Sequence, residues 1–259
     1  MKTLIVYVHP EPKSLNSSLK DLAVSTLEAA GHQVRVSDLY SMRWKAVVDA
    51  ADYGPDVSSP LQVARDSGRA FDGGTLTTGV RGEQEKLLWA YTIIFQFPLW
   101  WYGMPAILKG WVDRVFTYHF AYGVGEHSDT KYGERFGEGT LAGRKALLSV
   151  TAGGPESHYA PRGINGPIND LLFPIHHGIL YYPGIEVLPP FVLYGTDRMT
   201  DAAFPEVAKA WKARLITLET TKPIPFRPQN FGDYQIPSLH LKDGLEPAGR
   251  TGFGLHIRN

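Results

Sequence analysis

The chain has 259 residues, with 26 Lys and Arg against 26 Asp and Glu, and no cysteine, a length that suits one large domain or two small ones. The balanced charge gives neither nucleic acid nor an anionic membrane a basic surface to bind, which leaves a small molecule or a protein as the expected partner. The lack of cysteine excludes disulfides, thiolate metal sites, iron–sulfur clusters and cysteine nucleophiles.

The first third of the chain alternates apolar strand-like segments with helical periodicity. Residues 4–8 form an apolar run of strand length without a small-residue cleavage site, so we expect a buried first strand and a cytoplasmic protein. Apolar residues at helical spacing follow between 15 and 30, and a second strand is expected at 33–39. Residues 50–80 are rich in Asp, Ser, Gly and Pro without clear periodicity, which favours a long surface excursion.

The rest of the chain continues the alternation and then changes composition. The expected elements are a helix at 83–90, a strand at 92–97, a helix opened by Pro105, a strand at 145–151, a helix at 167–182, a strand near 185–188 and a helix around 207–215. Continuous apolar strands separated by helices indicate a doubly wound α/β domain with a five-stranded parallel sheet. The chain beyond residue 221 is rich in proline and glycine. We therefore divide the chain into a main domain at 1–221 and an extended tail at 222–259, which packs on the domain or on a dimer partner.

One uncharged stretch, residues 87–108, is long enough to span a bilayer. It contains Gln96, two prolines and a glycine, and its first part is rich in β-branched and aromatic residues. We interpret it as a strand, an aromatic turn and a proline-opened helix, and we expect no transmembrane segment.

Three loops should converge at the carboxyl edge of such a sheet, where doubly wound domains bind their ligands. Residues 9–18 lead into a helix and contain several hydroxyl and amide side chains. The free N–H groups of such a helix start could bind a phosphate, or the side chains could simply cap the helix. Residues 97–105 carry three consecutive aromatic side chains, which could hold a planar ring or plug the core. Residues 150–159 contain paired glycines that permit positive φ and a close approach to a ligand, or form an ordinary turn. Together the three loops favour a flavin site.

The sequence also contains weaker signals for a dinucleotide-binding loop and for a metal site. Residues 137–142 match a dinucleotide-binding pattern, but they precede a strand instead of following one, so we reject that interpretation. His176 and His177 diverge by about 100° on a predicted helix. They have no cysteine or evident carboxylate partner, so we expect no metal site. No GxSxG nucleophile elbow is present.

Residues 94–111 and 149–154, followed by Tyr159 and residues 163–166, resemble the signature of the DT-diaphorase type of NAD(P)H:quinone oxidoreductase. The resemblance implies a flavodoxin-like homodimer with one FAD per subunit, FMN being less favoured, and active sites at the subunit interface. Such enzymes pass two electrons by a ping-pong mechanism from NAD(P)H to a quinone or a similar aromatic acceptor.

The resemblance also implies roles for individual residues. The implied cofactor-binding residues are His9, Ser14, Leu15, Asn16, Pro98, Leu99, Trp100, Trp101, Tyr102, Thr151, Ala152, Gly153, Gly154 and Tyr159. The implied substrate-binding residues are Trp101, Ala121, Tyr122, Gly123 and Tyr182. Tyr159 and Asn165 are the implied catalytic pair, in which Tyr159 would hydrogen-bond the flavin where negative charge appears.

The sequence departs from the family pattern at three positions in or near these predicted sites. Asn165 stands where the family often has a histidine, as in a sister branch that prefers dihydronicotinamide riboside-type donors, which leaves the donor preference open. Val124 replaces a second family tyrosine of the substrate pocket. Phe204 occupies the position of an arginine near the adenine, so the far end of FAD lacks its usual support.

Three rival functions use the same loops. A flavin-binding ancillary subunit of a potassium-efflux system would associate with a membrane channel. A flavin-dependent nitro or azo reductase would use the same flat aromatic slot. A one-electron flavodoxin-type carrier is usually acidic, and the zero net charge of this chain argues against it.

Overall fold

A parallel β-sheet forms the centre of the computed structural model, which describes residues 1–258. Its strands are β1 (Lys2–Tyr7), β2 (Gln33–Asp38), β3 (Thr92–Pro98), β4 (Lys145–Thr151), β5 (Glu186–Val187) and β6 (Phe191–Leu193). They are arranged in the order β2-β1-β3-β4-β5, and β6 also pairs with β4. The order reverses between β1 and β3, so the loops after these two strands open a crevice at the carboxyl edge. The predicted doubly wound α/β class is confirmed.

Helices cover both faces of this sheet. They are α1 (Leu15–Ala29), α2 (Val63–Asp72), α3 (Thr78–Trp89), α4 (Ala106–Val115), α5 (Ile168–Phe173), which continues into a π-helix (Pro174–Tyr181), and α6 (Phe204–Ile216). Alternate strand residues point to opposite faces. Ile5, Ile94 and Leu147 pack with α1 and α6 on one face, and the other face packs with α3, α4 and the π-helix.

The prediction of a surface excursion over residues 50–80 was wrong in its centre and at its end. Helix α2 occupies Val63–Asp72, and α3 begins at Thr78, five residues before the predicted start at 83. The residues that α2 buries are small or polar, namely Asp66, Ser67, Gly68 and Ala70. The buried face of this helix therefore lacks the large apolar residues whose spacing identifies an amphipathic helix in a sequence.

The last position of the sheet is divided into two short strands. The sequence predicts one strand near 185–188, whereas β5 and β6 both pair with β4 and are separated by Pro189 and Pro190. Proline has no N–H to donate to a strand ladder, which explains the interruption. The five predicted strand positions are present, and β6 adds a sixth short segment.

The uncharged stretch at 87–108 forms the end of α3, strand β3, an exposed turn and the start of α4. Within residues 1–258, no helix combines the length and the apolar character needed to cross a bilayer.

The tail folds back onto the rest of its own chain. Gln229 Nε2 donates to the Tyr132 carbonyl at 2.7 Å, and Asn230 Nδ2 donates to the Gly133 carbonyl at 2.7 Å. Arg227 lies within the tail and pairs there with two carboxylates, so the tail also has internal structure. The tail thereby fixes the loop at 131–138.

Candidate active site

A cleft with a volume of about 350 Å³ lies at the carboxyl edge of the sheet, where the strand order reverses. It is lined by His9, Ser14, Leu15, Asn16, Pro98, Leu99, Trp100, Thr151, Gly153, Thr196 and Asp197. All three predicted loops contribute, and nine of the predicted cofactor residues line this one space. Thr196 and Asp197 come from the segment after β6 and were missed by the sequence analysis.

The first loop brings the start of α1 to the cleft. Ser14 caps the helix, and the first-turn N–H groups of Leu15 and Asn16 have no intrahelical acceptor. The Asn16 side chain is already used, since its Nδ2 donates to Thr151 Oγ1 at 2.9 Å and its Oδ1 accepts from Gln96 Nε2 at 2.7 Å. These bonds tie the ends of β3 and β4 to α1. What this loop offers a ligand is therefore a helix N-terminus, which suits an anion such as a phosphate.

The second loop is a strained and exposed aromatic turn. Trp100 and Gly103 exchange backbone hydrogen bonds at 3.2 and 3.1 Å. Between them, Trp101 and Tyr102 have φ of 50° and 62°, a left-handed conformation that costs a non-glycine residue about 1–3 kcal/mol. The side chain of Trp101 is 97% exposed and that of Tyr102 52%. These rings do not plug the core, and they leave a planar aromatic surface at the cleft rim for a ligand or another subunit.

The third loop approaches the segment after β6 very closely. A Cβ added to Gly153 would lie 2.2 Å from Asp197 Oδ2, so a larger residue there would require the Asp197 side chain or the loop to move. Neither Gly153 nor Gly154 has positive φ, so the close approach and not the turn geometry explains the first glycine. Ala152 is buried and donates its N–H to the Leu193 carbonyl at 2.8 Å.

Tyr159 and Asn165 lie next to the aromatic turn. Tyr102 Oη donates to Asn165 Oδ1 at 3.1 Å, and the Tyr159 ring packs on Tyr194 with 5.5 Å between ring centroids. Burial raises the pKa of Tyr159 above its ordinary value, and Tyr102 adds to this, whereas the Asn165 amide opposes it. The Tyr159 hydroxyl is therefore protonated at neutral pH and can donate a hydrogen bond.

Most of the predicted substrate residues lie in a separate apolar groove of about 200 Å³. It is lined by Val112, Phe116, Ala121, Tyr122, Gly178, Ile179 and Tyr182. We call it the apolar groove. Gly123 does not line it. Its φ is 70°, and a Cβ added there would lie 2.0 Å from the Tyr118 ring. The apolar groove shares no lining residue with the cleft, so one chain does not bring Tyr122 and Tyr182 together with the flavin loops.

A second compartment of about 280 Å³ adjoins the cleft. It is lined by Lys13, Leu15, Ser18, Thr196, Met199, Thr200, Asp201 and Phe204. Leu15 and Thr196 border both spaces. The first wall of this compartment, which contains Leu15, belongs to the predicted loop at 9–18, whereas residues 196–201 were not predicted and Phe204 was noted only as a departure from the family pattern.

The two adjacent histidines occupy different environments. His176 is 2% exposed, and burial lowers its pKa to about 4. His177 stacks between the rings of Phe136 and Phe173, at centroid distances of 4.7 and 4.8 Å. Throughout residues 1–258, no three His, Asp or Glu side chains cluster in a way that would hold a metal ion.

The chain is similar to known proteins over nearly its whole length. Residues 1–215 match the model of the flavodoxin-like fold family. A ribosyldihydronicotinamide dehydrogenase-like protein of Penicillium crustosum is 53% identical over 260 residues, covering 100% of this chain and 96% of the relative. NAD(P)H dehydrogenase (quinone) 1 of Cavia porcellus is 37% identical over 260 residues, covering 99% and 92%. The crystal structure of a candidate quinone reductase from Klebsiella pneumoniae matches with a TM-score of 0.97 and 57% identity over 99% of both chains.

Proposed function

The chain belongs to the flavodoxin-like fold family, and on this premise we propose that it is an FAD-dependent NAD(P)H:quinone oxidoreductase. It passes two electrons from a reduced nicotinamide to a quinone or a similar aromatic acceptor, and its relatives' names describe an NAD(P)H dehydrogenase (quinone) and a quinone reductase. The observation that carries the proposal is the convergence of three loops on one cleft at the switch point of the sheet. Bound flavin supplies the two-electron redox chemistry, and the protein supplies binding, orientation and electrostatics.

The shape of the site supports FAD over FMN. The N-terminus of α1, beside Leu15, separates the cleft from the second compartment and suits a phosphate. A flavin ring has room in the cleft, and a nucleotide has room in the second compartment. There Lys13 supplies a positive charge for a phosphate and Phe204 an aromatic face for adenine. FMN would leave the second compartment without a ligand.

Three side chains form a hydrogen-bonding unit at the edge of the cleft. Because Asn165 Oδ1 accepts from Tyr102, the Asn165 amide N–H group is free to face Tyr159. The protonated Tyr159 hydroxyl would then donate a hydrogen bond toward a bound flavin, where negative charge would develop, and such a preorganised donor stabilises a transition state. Tyr102 and Asn165 act here as positioning residues for Tyr159.

We propose that two subunits together form each complete site, so that the protein works as a cytoplasmic homodimer. The apolar groove and the exposed Trp101 are both surfaces that association would cover. Tyr122 and Tyr182 of one subunit would complete the cleft of the other. A donor drawn from the cellular NAD(P)H pool supports the cytoplasmic location. We also retain, as a proposal, the division into a flavin-binding domain at 1–221 and a tail at 222–259.

Steady-state assays of the purified protein with menadione, using NADH and NADPH separately, test the proposed function. We expect menadione reduction, with parallel reciprocal plots when both substrates are varied. Trp101→Leu should raise the KM for menadione. Trp89→Leu is the matched control, because this indole lies just before β3, at the end of the strand opposite the cleft. Flavin-loaded protein that reduces menadione with neither donor would contradict the proposal.

The homodimer has its own test. Light scattering coupled to size-exclusion chromatography should give twice the 28.7 kDa of one chain. A monomer mass from protein that reduces menadione would contradict the shared site.

A further inference from the structure

Arg135 places a positive charge at the rim of the apolar groove. Its Nη1 donates to Tyr182 Oη at 3.3 Å, and Tyr182 lines that groove. Its Nε donates to Gln229 Oε1 at 2.6 Å. Both partners are neutral, and within residues 1–258 no carboxylate oxygen lies within 4.0 Å of the guanidinium. Within the described residues, Arg135 therefore has no ion-pair partner.

The acidic residues of the same loop are occupied elsewhere. Glu134 and Glu138 approach Lys131 Nζ at 3.4 and 3.7 Å. Glu138 also accepts a hydrogen bond from Asn230 Nδ2 at 2.6 Å. Both carboxylates of this loop therefore face Lys131, and neither forms an ion pair with Arg135.

The guanidinium is held in place before any ligand arrives. Its central carbon lies 4.8 Å from the Tyr132 ring centroid, 6.0 Å from that of Phe136 and 5.7 Å from that of Tyr182. Gln229 is 3% exposed and is itself fixed by the Tyr132 carbonyl. A cation already ordered by rings and a buried amide loses little conformational entropy when it binds an anion.

We propose that Arg135 selects aromatic acceptors that carry an anionic substituent, such as a carboxylate or a sulfonate. The apolar groove takes the aromatic ring, and the guanidinium at its rim binds the substituent through charge-assisted hydrogen bonds. Arg135 Nη2 makes no hydrogen bond within residues 1–258, so the guanidinium still has a free N–H donor for an oxygen atom of a carboxylate or a sulfonate. The inference rests on the proposed function, because the groove serves reduction only as part of the shared site.

The test compares holoenzymes of the wild type, Arg135→Gln and Lys212→Gln. Lys212 is exposed on α6, which packs on the opposite face of the sheet from the apolar groove. Each of the two variants loses one positive charge, so the net charge changes by the same amount in both. Arg135→Gln should lower kcat/KM for a naphthoquinone sulfonate about tenfold, the loss of one charge-assisted hydrogen bond. It should change kcat/KM for menadione by less than about twofold. Lys212→Gln should change neither value. Equal losses for both acceptors, or an unchanged value for the sulfonate, would overturn the proposal.

A binding measurement separates this proposal from the proposed function. Calorimetric titration with naphthalenesulfonate, which the enzyme cannot reduce, should show about tenfold weaker binding to Arg135→Gln. A neutral naphthalene alcohol should bind both proteins equally. If menadione is not reduced, the proposed function fails, and the calorimetric difference still decides the role of Arg135. If the variant changes only the ratio of NADPH to NADH use, the bound anion is the donor's 2′-phosphate and the acceptor proposal is wrong.

Discussion

The cleft and the apolar groove are built in different ways. The cleft uses short consecutive segments at the ends of neighbouring strands, linked by bonds such as that between Asn16 and Thr151. The apolar groove combines α4, the following turn and the π-helix, and the tail fixes its rim through Gln229. Both sites depend on contacts between distant parts of the chain, but each cleft segment directly follows a strand, whereas the rim of the groove is formed only when the tail packs against residues 131–138.

The largest expected effect comes from damage to the cleft alone. Gly153→Ala would place a Cβ 2.2 Å from Asp197 Oδ2 and must displace that carboxylate or the loop. We expect flavin affinity to fall about a hundredfold, near the upper end of the roughly 1–3 kcal/mol that overpacking costs. Gly82→Ala is the matched control, since no atom lies within 4 Å of its added Cβ. Unchanged flavin content in the Gly153→Ala protein would show that flavin binding does not depend on the close approach between Gly153 and Asp197.

A change at the cleft edge should separate chemistry from binding. Tyr159→Phe removes a donor whose hydrogen bond strengthens as charge develops, so we expect flavin reduction by NAD(P)H to slow about tenfold. Flavin content should not change. Tyr91→Phe serves as the control, because this exposed residue precedes β3 at the end of the strand away from the cleft. Stopped-flow measurement gives the rates, and equal rates for Tyr159→Phe and wild type would remove this role.

A change in the apolar groove should leave the cofactor untouched. Tyr182→Ala removes an aromatic wall of the groove, and we expect the KM for menadione to rise about fivefold at constant flavin content. Loss of flavin from this variant would show that the groove and the cleft are not independent.

Mixed dimers sharpen the same comparison. A dimer of one Gly153→Ala subunit and one Tyr182→Ala subunit retains one undamaged cleft facing one undamaged groove, if the site is shared. At menadione concentrations well below KM, where the Tyr182→Ala parent is itself slow, co-expressed and separately tagged subunits should therefore recover about half of the wild-type activity per dimer. Activity no greater than the mean of the two parent variants would contradict the shared site.

The tail should give a smaller, pH-dependent effect. Hydrogen bonds from Arg258 and Arg227 hold the pKa of Asp233 below its ordinary 3.8. Those from Arg227 and Arg250 hold the pKa of Glu246 below its ordinary 4.5. A carboxyl whose pKa is lowered by folding stabilises the folded state above its ordinary pKa, and this stabilisation is lost as the pH falls through the folded-state value. Below pH 4.5 the tail should become sensitive to pepsin before flavin fluorescence reports release. Flavin release that precedes tail cleavage would contradict the order.

The smallest expected effect concerns Asn165. Asparagine does not titrate, whereas a histidine has an ordinary pKa of about 6.5. Flavin reduction in the wild type should vary little between about pH 6 and pH 8, and Asn165→His should introduce a few-fold inflection near pH 6.5. A wild-type inflection of the same size would assign the pH dependence to another group.

The sequence predicted the parts of the site that depend on local pattern. Apolar strands, with unusual residues at their ends, were enough to identify the three loops of the cleft. Thr196 and Asp197 escaped because they follow β6, a three-residue strand too short for periodicity to reveal. Arg135 gave no signal, because its role depends on Gln229, 94 residues away. The roles assigned to individual site residues stay predictions.

The most direct test of the central claim is the identity and stoichiometry of flavin released when the purified protein is denatured. Chromatography of the supernatant, with protein quantified in the same sample, should give one FAD per chain. Release of FMN, or a protein that retains no flavin after incubation with FAD, would contradict the account of the cleft and of its second compartment.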